Sequence, residues 1–245
     1  MNREYYLQMR RLEDRHWWFV ARRNLICAAL KRFGKTKQPL TLDMGCGTGG
    51  TMDRLREFAR PVGLDLEPLA LELCRERGHE NLVLASATEL PFADATFDAA
   101  IALDVLEHIP DDIQAASELA RALKPGGVAV VTVPAYQELW SGHDIALMHQ
   151  RRYRADEVRK LLEGAGLHVE QLSYTVSALL PAVWVVRKLQ NALQRKDVPP
   201  KADAVPTPEP LNSLLRVLLD VEASLALRAS LPFGLTIFAV ARKPD

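Results

Sequence analysis

Apolar residues along this chain fall into short blocks separated by longer amphipathic stretches. Residues 3–33 carry a helical pattern with Tyr5, Tyr6, Trp17, Trp18 and Phe19 clustered in it. Adjacent aromatics on a helix cannot all face one core, so some must pack on another element or line a pocket. From residue 40 the pattern alternates. Strand 40–43 leads into helix 49–59, and Val62-Gly63-Leu64 is a strand that ends on Asp65. Helix 67–77 and strands 82–84 and 97–103 follow. Helix 111–123 stops at Lys124-Pro125-Gly126-Gly127, ahead of a β-branched strand, 128–133. Helix 155–163 is ended by Gly164 and Gly166 before strand 167–174. Repeated βα units of this kind predict a parallel sheet with helices on both faces.

Beyond residue 174 the pattern changes. Residues 175–194 are apolar around Pro181. The stretch 197–210 holds Pro199, Pro200, Pro206, Pro208 and Pro210 and reads as an extended, mobile linker. A Leu-rich helix spans 211–229, with Leu211, Leu214, Leu215, Leu218 and Leu225 on one face, and strand 235–241 closes the pattern. If 167–174 and 235–241 are the last two strands, 175–231 is an insertion between them. It reads as a helical cap packed on the domain, or as an apolar acceptor tunnel or peripheral membrane surface. Arg187, Lys188, Arg195 and Lys196 would suit anionic headgroups.

Composition narrows the class. The 245 residues, 48% hydrophobic, suit one α/β domain with elaborations. Lys+Arg and Asp+Glu are equal at 31 each, so charge offers no sign of a nucleic-acid partner. Cys27, Cys46 and Cys74 lack CxxC spacing, which suits a reducing compartment and argues against a metal cluster. The N-terminal stretch is too charged for a secretory signal, and no apolar run reaches the roughly 18–20 residues of a membrane span. The expected location is cytoplasmic, with peripheral contact at the inner face of the membrane through 175–231 as an option.

The chemistry concentrates after the first strand, in Leu42-Asp43-Met44-Gly45-Cys46-Gly47-Thr48-Gly49-Gly50. Gly45, Gly47 and Gly49 let backbone approach a nucleotide-like ligand closely. Asp43 puts a negative charge where phosphates would be repelled, which favours a cofactor carrying positive charge. The string also satisfies GxGxxG, and Asp65 can hold a ribose in either case, so a dinucleotide-binding domain remains a rival.

Leu42-Asp43-Met44-Gly45-Cys46-Gly47-Thr48-Gly49 resembles motif I of the class I S-adenosylmethionine-dependent methyltransferases. Val62-Gly63-Leu64-Asp65, Leu90-Pro91-Phe92 with Phe97-Asp98, Asp104-Val105-Leu106-Glu107-His108 and Leu123-Lys124-Pro125-Gly126-Gly127 extend the likeness over about residues 40–170. It is closest to the ubiquinone/menaquinone-methylase-like small-molecule enzymes. The resemblance implies an α/β, Rossmann-like seven-stranded sheet, mostly parallel, with the last strand antiparallel. Residues 1–38 would form an N-terminal helical lid, 39–174 plus 232–245 the core, and 175–231 a helical insertion between the last two strands.

By the same resemblance the cofactor is S-adenosyl-L-methionine. Asp43, Gly45, Cys46, Gly47 and Gly49 would hold its methionine part, Asp65 both ribose hydroxyls, and Leu66 the adenine. The third-strand loop carries no acid, so Ser86 or backbone near Ala87 must meet the adenine amine. Asp104 joins the cofactor set. The implied function is methyl transfer to oxygen, nitrogen or carbon of a small-molecule or lipid-like acceptor. The alternatives are an NAD(P)-dependent oxidoreductase and a non-catalytic, membrane-peripheral cofactor-binding protein.

The acceptor should lie beyond the carboxyl ends of the fourth and fifth strands, which makes Asp104, Glu107 and His108, and then Pro134 through Tyr153, the candidates around it. His108, His143, His149 and Tyr153 are the candidate catalytic residues, with Asp144 as orienter and Arg151 and Arg152 as anchors for an anionic acceptor. His108 and the His143–Tyr153 loop also have purely structural readings. No metal is expected: His143, Asp144 and His149 are not spaced as a helical i, i+4 pair. Relatives share the blocks at 16–19, 149–153 and 231–234, which imply no particular acceptor.

Overall fold

Parallel β1 (Leu40–Met44) sits in the middle of the sheet of the computed structural model, with Thr41 through Met44 buried on both faces as in a doubly covered strand. The structure describes residues 3–193 and 206–245. Among these, seven strands form one sheet in the order β3-β2-β1-β4-β5-β7-β6. The other strands are β2 (Arg60–Asp65), β3 (Leu82–Leu84), β4 (Phe97–Leu103), β5 (Leu123–Pro134), β6 (His168–Thr175) and β7 (Thr236–Arg242). β7 pairs antiparallel with both β5 and β6, and every other pairing is parallel. Strand order reverses between β1 and β4, so their carboxyl ends open a crevice.

Helices cover both faces. On one, α5 (Asp112–Ala122) and α7 (Ala155–Gly164) contribute Ala115, Leu119, Val158 and Leu162 to the main core. On the other, α2 (Trp17–Phe33) buries Leu25, Ile26, Ala29 and Leu30 with Leu55 of α3 (Gly50–Leu55) and Ala223 of α9 (Glu209–Ala226). α4 (Pro68–Glu76) packs beside α1 (Arg3–Leu12), whose Tyr6 and Met9 share a smaller cluster with Phe19 and Leu69. The short α6 (Gly142–Ala146) follows β5, and α8 (Leu180–Leu193) follows β6.

Three local expectations are revised. The pattern over 3–33 is two helices, because His16 is extended and its side chain caps α2 by accepting from the Trp18 N–H. The strand expected at 128–133 starts at Leu123, since Leu123 already pairs with Phe97 across an irregular register. Of the proline-rich stretch, 197–205 lies outside the described residues, as do Arg195 and Lys196, and Pro210 belongs to the first turn of α9.

α9 packs on the domain through a face that its leucine pattern does not mark. Its buried positions are Asn212, Leu219, Glu222, Ala223 and Ala226. Asn212 accepts from the Trp17 N–H at 2.8 Å and donates to the Arg15 carbonyl at 3.0 Å. Glu222 accepts from the Ser177 N–H at 2.9 Å. These polar anchors turn the helix so that Leu211, Leu214, Leu218 and Leu225, with Val217 and Val221, are exposed. The Leu face points away from the domain.

Candidate functional site

A cavity of about 1490 Å³ opens at the carboxyl end of the sheet. It exceeds the usual 300–1,000 Å³ of a single small-molecule pocket, leaving room for two reactants. One end is built on β1 and β2. Gly45 has φ +78°, and a Cβ there would meet the Val105 side chain at 2.4 Å, so glycine lets the loop pack against the turn that follows β4. Gly49 is left-handed as well and starts α3. The Gly47 N–H donates to Asp65 Oδ2 at 2.9 Å, and the Glu67 N–H donates to Oδ1 at 3.0 Å. Burial raises the Asp65 carboxyl, while these backbone donors pull it down.

Asp43 is buried with Oδ2 unpartnered. Burial, reinforced by Asp65, pushes its carboxyl up to about 7. A buried acid with an unpartnered oxygen suits a ligand that brings a donor or a positive charge. Leu66 is 71% exposed at the rim, and Cys46, Gly47, Ser86 and Ala87 line the same end. The structure gathers these candidate residues around one end of the cavity, whereas Gly49 faces Cys74 and His79 and does not line it.

Asp104 marks the middle. It ends β4 at φ +53°, accepts from Thr132 Oγ1 at 2.9 Å and pairs with Arg22 of α2. That conformation is costly for a non-glycine residue and aims a charged side chain into the crevice. Arg22 had no sequence-level role beyond its place after the aromatics. Tyr5, Tyr6, Trp17 and Trp18 line the wall nearby. Glu13, reaching both Thr48 and Arg77, ties the end of α1 to the glycine loop; nothing in its local sequence signalled this.

Histidines and α8 build the other end. His108, His143 and His149 line it, with Val183, Val186 and Arg187 of α8. Asp144 is fully buried and serves as a hub. It accepts from His149 Nδ1 at 2.9 Å and Arg152 Nε at 2.7 Å through Oδ1, and from Arg187 at 3.1 Å through Oδ2. Burial alone would raise its carboxyl, but the His149 hydrogen bond and the Arg152 and Arg187 charges bring it well below the usual carboxylate range. Asp144 thus orients His149 rather than His143. Burial, with Arg187 next, lowers His143 to about 4; burial and His149 lower His108 to about 4.

Several expected groups are engaged elsewhere. Tyr153 is in the core, its hydroxyl donating to Asp112 at 2.7 Å, and does not line the cavity. Arg151 pairs with Asp112 at 2.8 Å, and Arg152 holds Asp144 and the Ala135 carbonyl. Arg187, expected to face headgroups, turns inward. Glu107 is fully buried, and neither carboxylate oxygen has a hydrogen-bond partner.

The family model described as "Methyltransferase domain" matches residues 42–131, the stretch from β1 through most of β5. A Mycolicibacterium smegmatis protein described as a "probable S-adenosylmethionine-dependent methyltransferase" is 38% identical over 138 residues, 53% of this chain and 52% of that one. The chain thus spans about half the length of this relative. The Haloferax volcanii protein solved in complex with the Trm112 methyltransferase activator superposes with TM-score 0.64 at 23% identity, covering 99% of this chain and 95% of that one. Phosphoethanolamine N-methyltransferase 2 of Haemonchus contortus, solved with S-adenosyl-L-methionine, gives TM-score 0.57 at 21% identity over 89% of this chain and 52% of that one. At those identities the structural likeness speaks to the fold, and the sequence matches carry the family. Residues 42–131 thus carry a methyltransferase domain, and the sheet order and glycine loop around it have the form expected of class I S-adenosylmethionine-dependent methyltransferases.

Proposed function

We propose that this protein transfers the methyl group of S-adenosylmethionine to a small-molecule or lipid-like acceptor held at the histidine end of the cavity. The observation that carries this reading is one continuous cavity with the glycine loop, Asp43 and Asp65 at one end and His108, His143 and His149 at the other. When bound, the cofactor supplies an electrophilic methyl on a sulfonium. The residues supply placement. Asp65 holds the ribose hydroxyls, Leu66 offers an apolar surface to the adenine, and Ser86 and the Ala87 backbone meet its polar edge. Asp43 receives the positively charged methionine part. A dinucleotide diphosphate would instead face the Asp43 carboxyl, whose Oδ2 has no hydrogen-bond partner. Alignment does most of the work in such a displacement. The α1 helix and the first turn of α2 act as the lid.

A lipid-like acceptor is supported by the insertion. α8 lines the cavity through Val183 and Val186, and its Trp184, Val185 and Leu189 are exposed, as is the Leu face of α9. Among the described residues no helix is long and apolar enough to cross a membrane, so contact would be peripheral. The test incubates the full chain with methyl-labelled cofactor and cell extract, then separates lipid from aqueous products. Label in the lipid fraction supports the lipid acceptor, and label only in water-soluble product removes it. No label, together with tight binding of NAD and none of S-adenosylhomocysteine, would overturn the methyltransferase reading.

A further inference from the structure

Glu107 poses a problem that the cofactor site does not solve. A carboxyl with no exposed surface and no donor to either oxygen is costly unless it is protonated or meets a cation. Two imidazoles lie beside it. His108 follows it in the 3₁₀ turn after β4, and the Gln150 N–H donates to the Glu107 carbonyl at 2.7 Å, which holds the His149 loop against that turn. The two rings stand edge-on, with centroids 4.6 Å apart. One ligand atom from each of Glu107, His108 and His149 lies within 4.8 Å of the others.

Each ring also has the outer partner that a metal-bound imidazole requires. His149 uses Nδ1 against the Asp144 carboxylate at 2.9 Å, and His108 is hydrogen-bonded to the Met148 backbone. Fixing one ring nitrogen leaves the other to offer its lone pair, the carboxylate–histidine–metal arrangement. Arg152 and Arg187 lock Asp144 in turn. Three ligands of type His, His and carboxylate, with open positions toward a cavity, suit a first-row transition metal. Bonds of about 2.0–2.2 Å require the ligand atoms to draw in by roughly an ångström, within reach of side-chain torsions.

We propose that Glu107, His108 and His149 bind one divalent first-row transition-metal ion at the acceptor end of the cavity, and that this ion receives an acceptor hydroxyl. The expectation of no metal, drawn from the spacing of His143, Asp144 and His149, is thereby replaced by a different set. The role in transfer rests on the methyltransferase reading; the binding of the ion does not. Coordination lowers the pKa of the hydroxyl, whose proton leaves to water. The oxygen then forms its bond to the methyl carbon as the carbon–sulfur bond breaks, and sulfur keeps the electron pair, giving a methyl ether and S-adenosylhomocysteine.

The test titrates chelator-stripped full-length protein with Zn²⁺ by calorimetry and with Co²⁺ by visible absorption. One ion per chain is expected, with a d–d spectrum of nitrogen and oxygen ligation. Glu107→Gln and His149→Ala should each weaken binding at least about 10-fold. His168→Ala, exposed on β6, should leave it unchanged. Absence of saturable binding in the wild type, or equal affinity in the two site variants, overturns the proposal. Should both variants lose their fold, the wild-type Co²⁺ spectrum decides, and one without nitrogen ligation overturns it. S-adenosylhomocysteine binding without metal binding removes the ion and leaves the methyltransferase reading standing. Metal binding without S-adenosylhomocysteine binding does the reverse.

Discussion

The main-chain N–H of Gly47 donates to Oδ2 of Asp65 at 2.9 Å, joining the glycine loop after β1 to the acid that ends β2. One carboxylate thus shapes the loop and faces the cavity. Asp65→Ala should weaken S-adenosylhomocysteine binding by about 1–3 kcal/mol through lost charge-assisted hydrogen bonds. Calorimetry with unchanged affinity would remove Asp65 from the ribose site.

Asp43 makes a pH-dependent prediction. Its folded-state value, about 7, lies above the ordinary 3.8. Burying the carboxyl therefore costs nothing below about pH 4, costs progressively more up to about pH 7, and costs fully above it. Asp43→Asn should match wild-type thermal stability near pH 4 and exceed it by on the order of 5 °C at pH 8. A cationic ligand favours the ionised form, so wild-type cofactor affinity should rise from pH 5.5 to 7.5, while that of the Asn variant stays weak and flat. Equal melting curves at pH 8 would show that the carboxyl is not strained by burial.

Asp144 compensates two cations, the buried Arg152 and the half-buried Arg187. Removing one partner of such a set leaves charge uncompensated, so Asp144→Ala should destabilise by about 3–5 kcal/mol, read by denaturant unfolding. A loss of turnover with unchanged stability would instead make Asp144 an orienter only.

His143 lines the cavity, and at about 4 its conjugate acid is too strong for an efficient base at neutral pH. His143→Ala is expected to lower single-turnover rate less than about 10-fold and to leave cofactor affinity intact. A loss of about 100-fold or more would restore it as general base.

α9 inverts the usual rule that leucine substitutions hurt and polar ones do not. Asn212→Leu should cost about 1–3 kcal/mol, because it strands the Trp17 N–H and the Arg15 carbonyl. Leu214→Ser should change stability by less than about 0.5 kcal/mol yet weaken vesicle co-sedimentation if the exposed face meets lipid. Opposite ranking in urea melts would mean that the helix packs through its Leu face.

Much of the site was legible because its parts are local. Gly45, Gly47 and Gly49 follow a short apolar strand, and Asp43 and Asp65 stand at strand ends, so five positions within 23 residues announce one end of the cavity. The histidine end was only half legible. His108, His143 and His149 are recognisable by type, but the partner that orients His149 and the isolation of Glu107 depend on loops from β4 and β5 meeting. Tyr153, plausible as an acid or base by type, goes to the core because Asp112 of α5 accepts the hydrogen bond of its hydroxyl.

The sequence by itself determined the alternation of strands and helices from residue 40 and the glycine loop with its acids, since backbone periodicity and turn chemistry act over a few residues. Tertiary structure alone decided the outward turn of the α9 leucines, the inward turn of Arg187 and the triad of Glu107, His108 and His149. The physical reason is range. A buried polar group must find its partner wherever the fold brings one, and Asn212 finds Trp17 195 residues away. No local pattern of apolar positions encodes that distance.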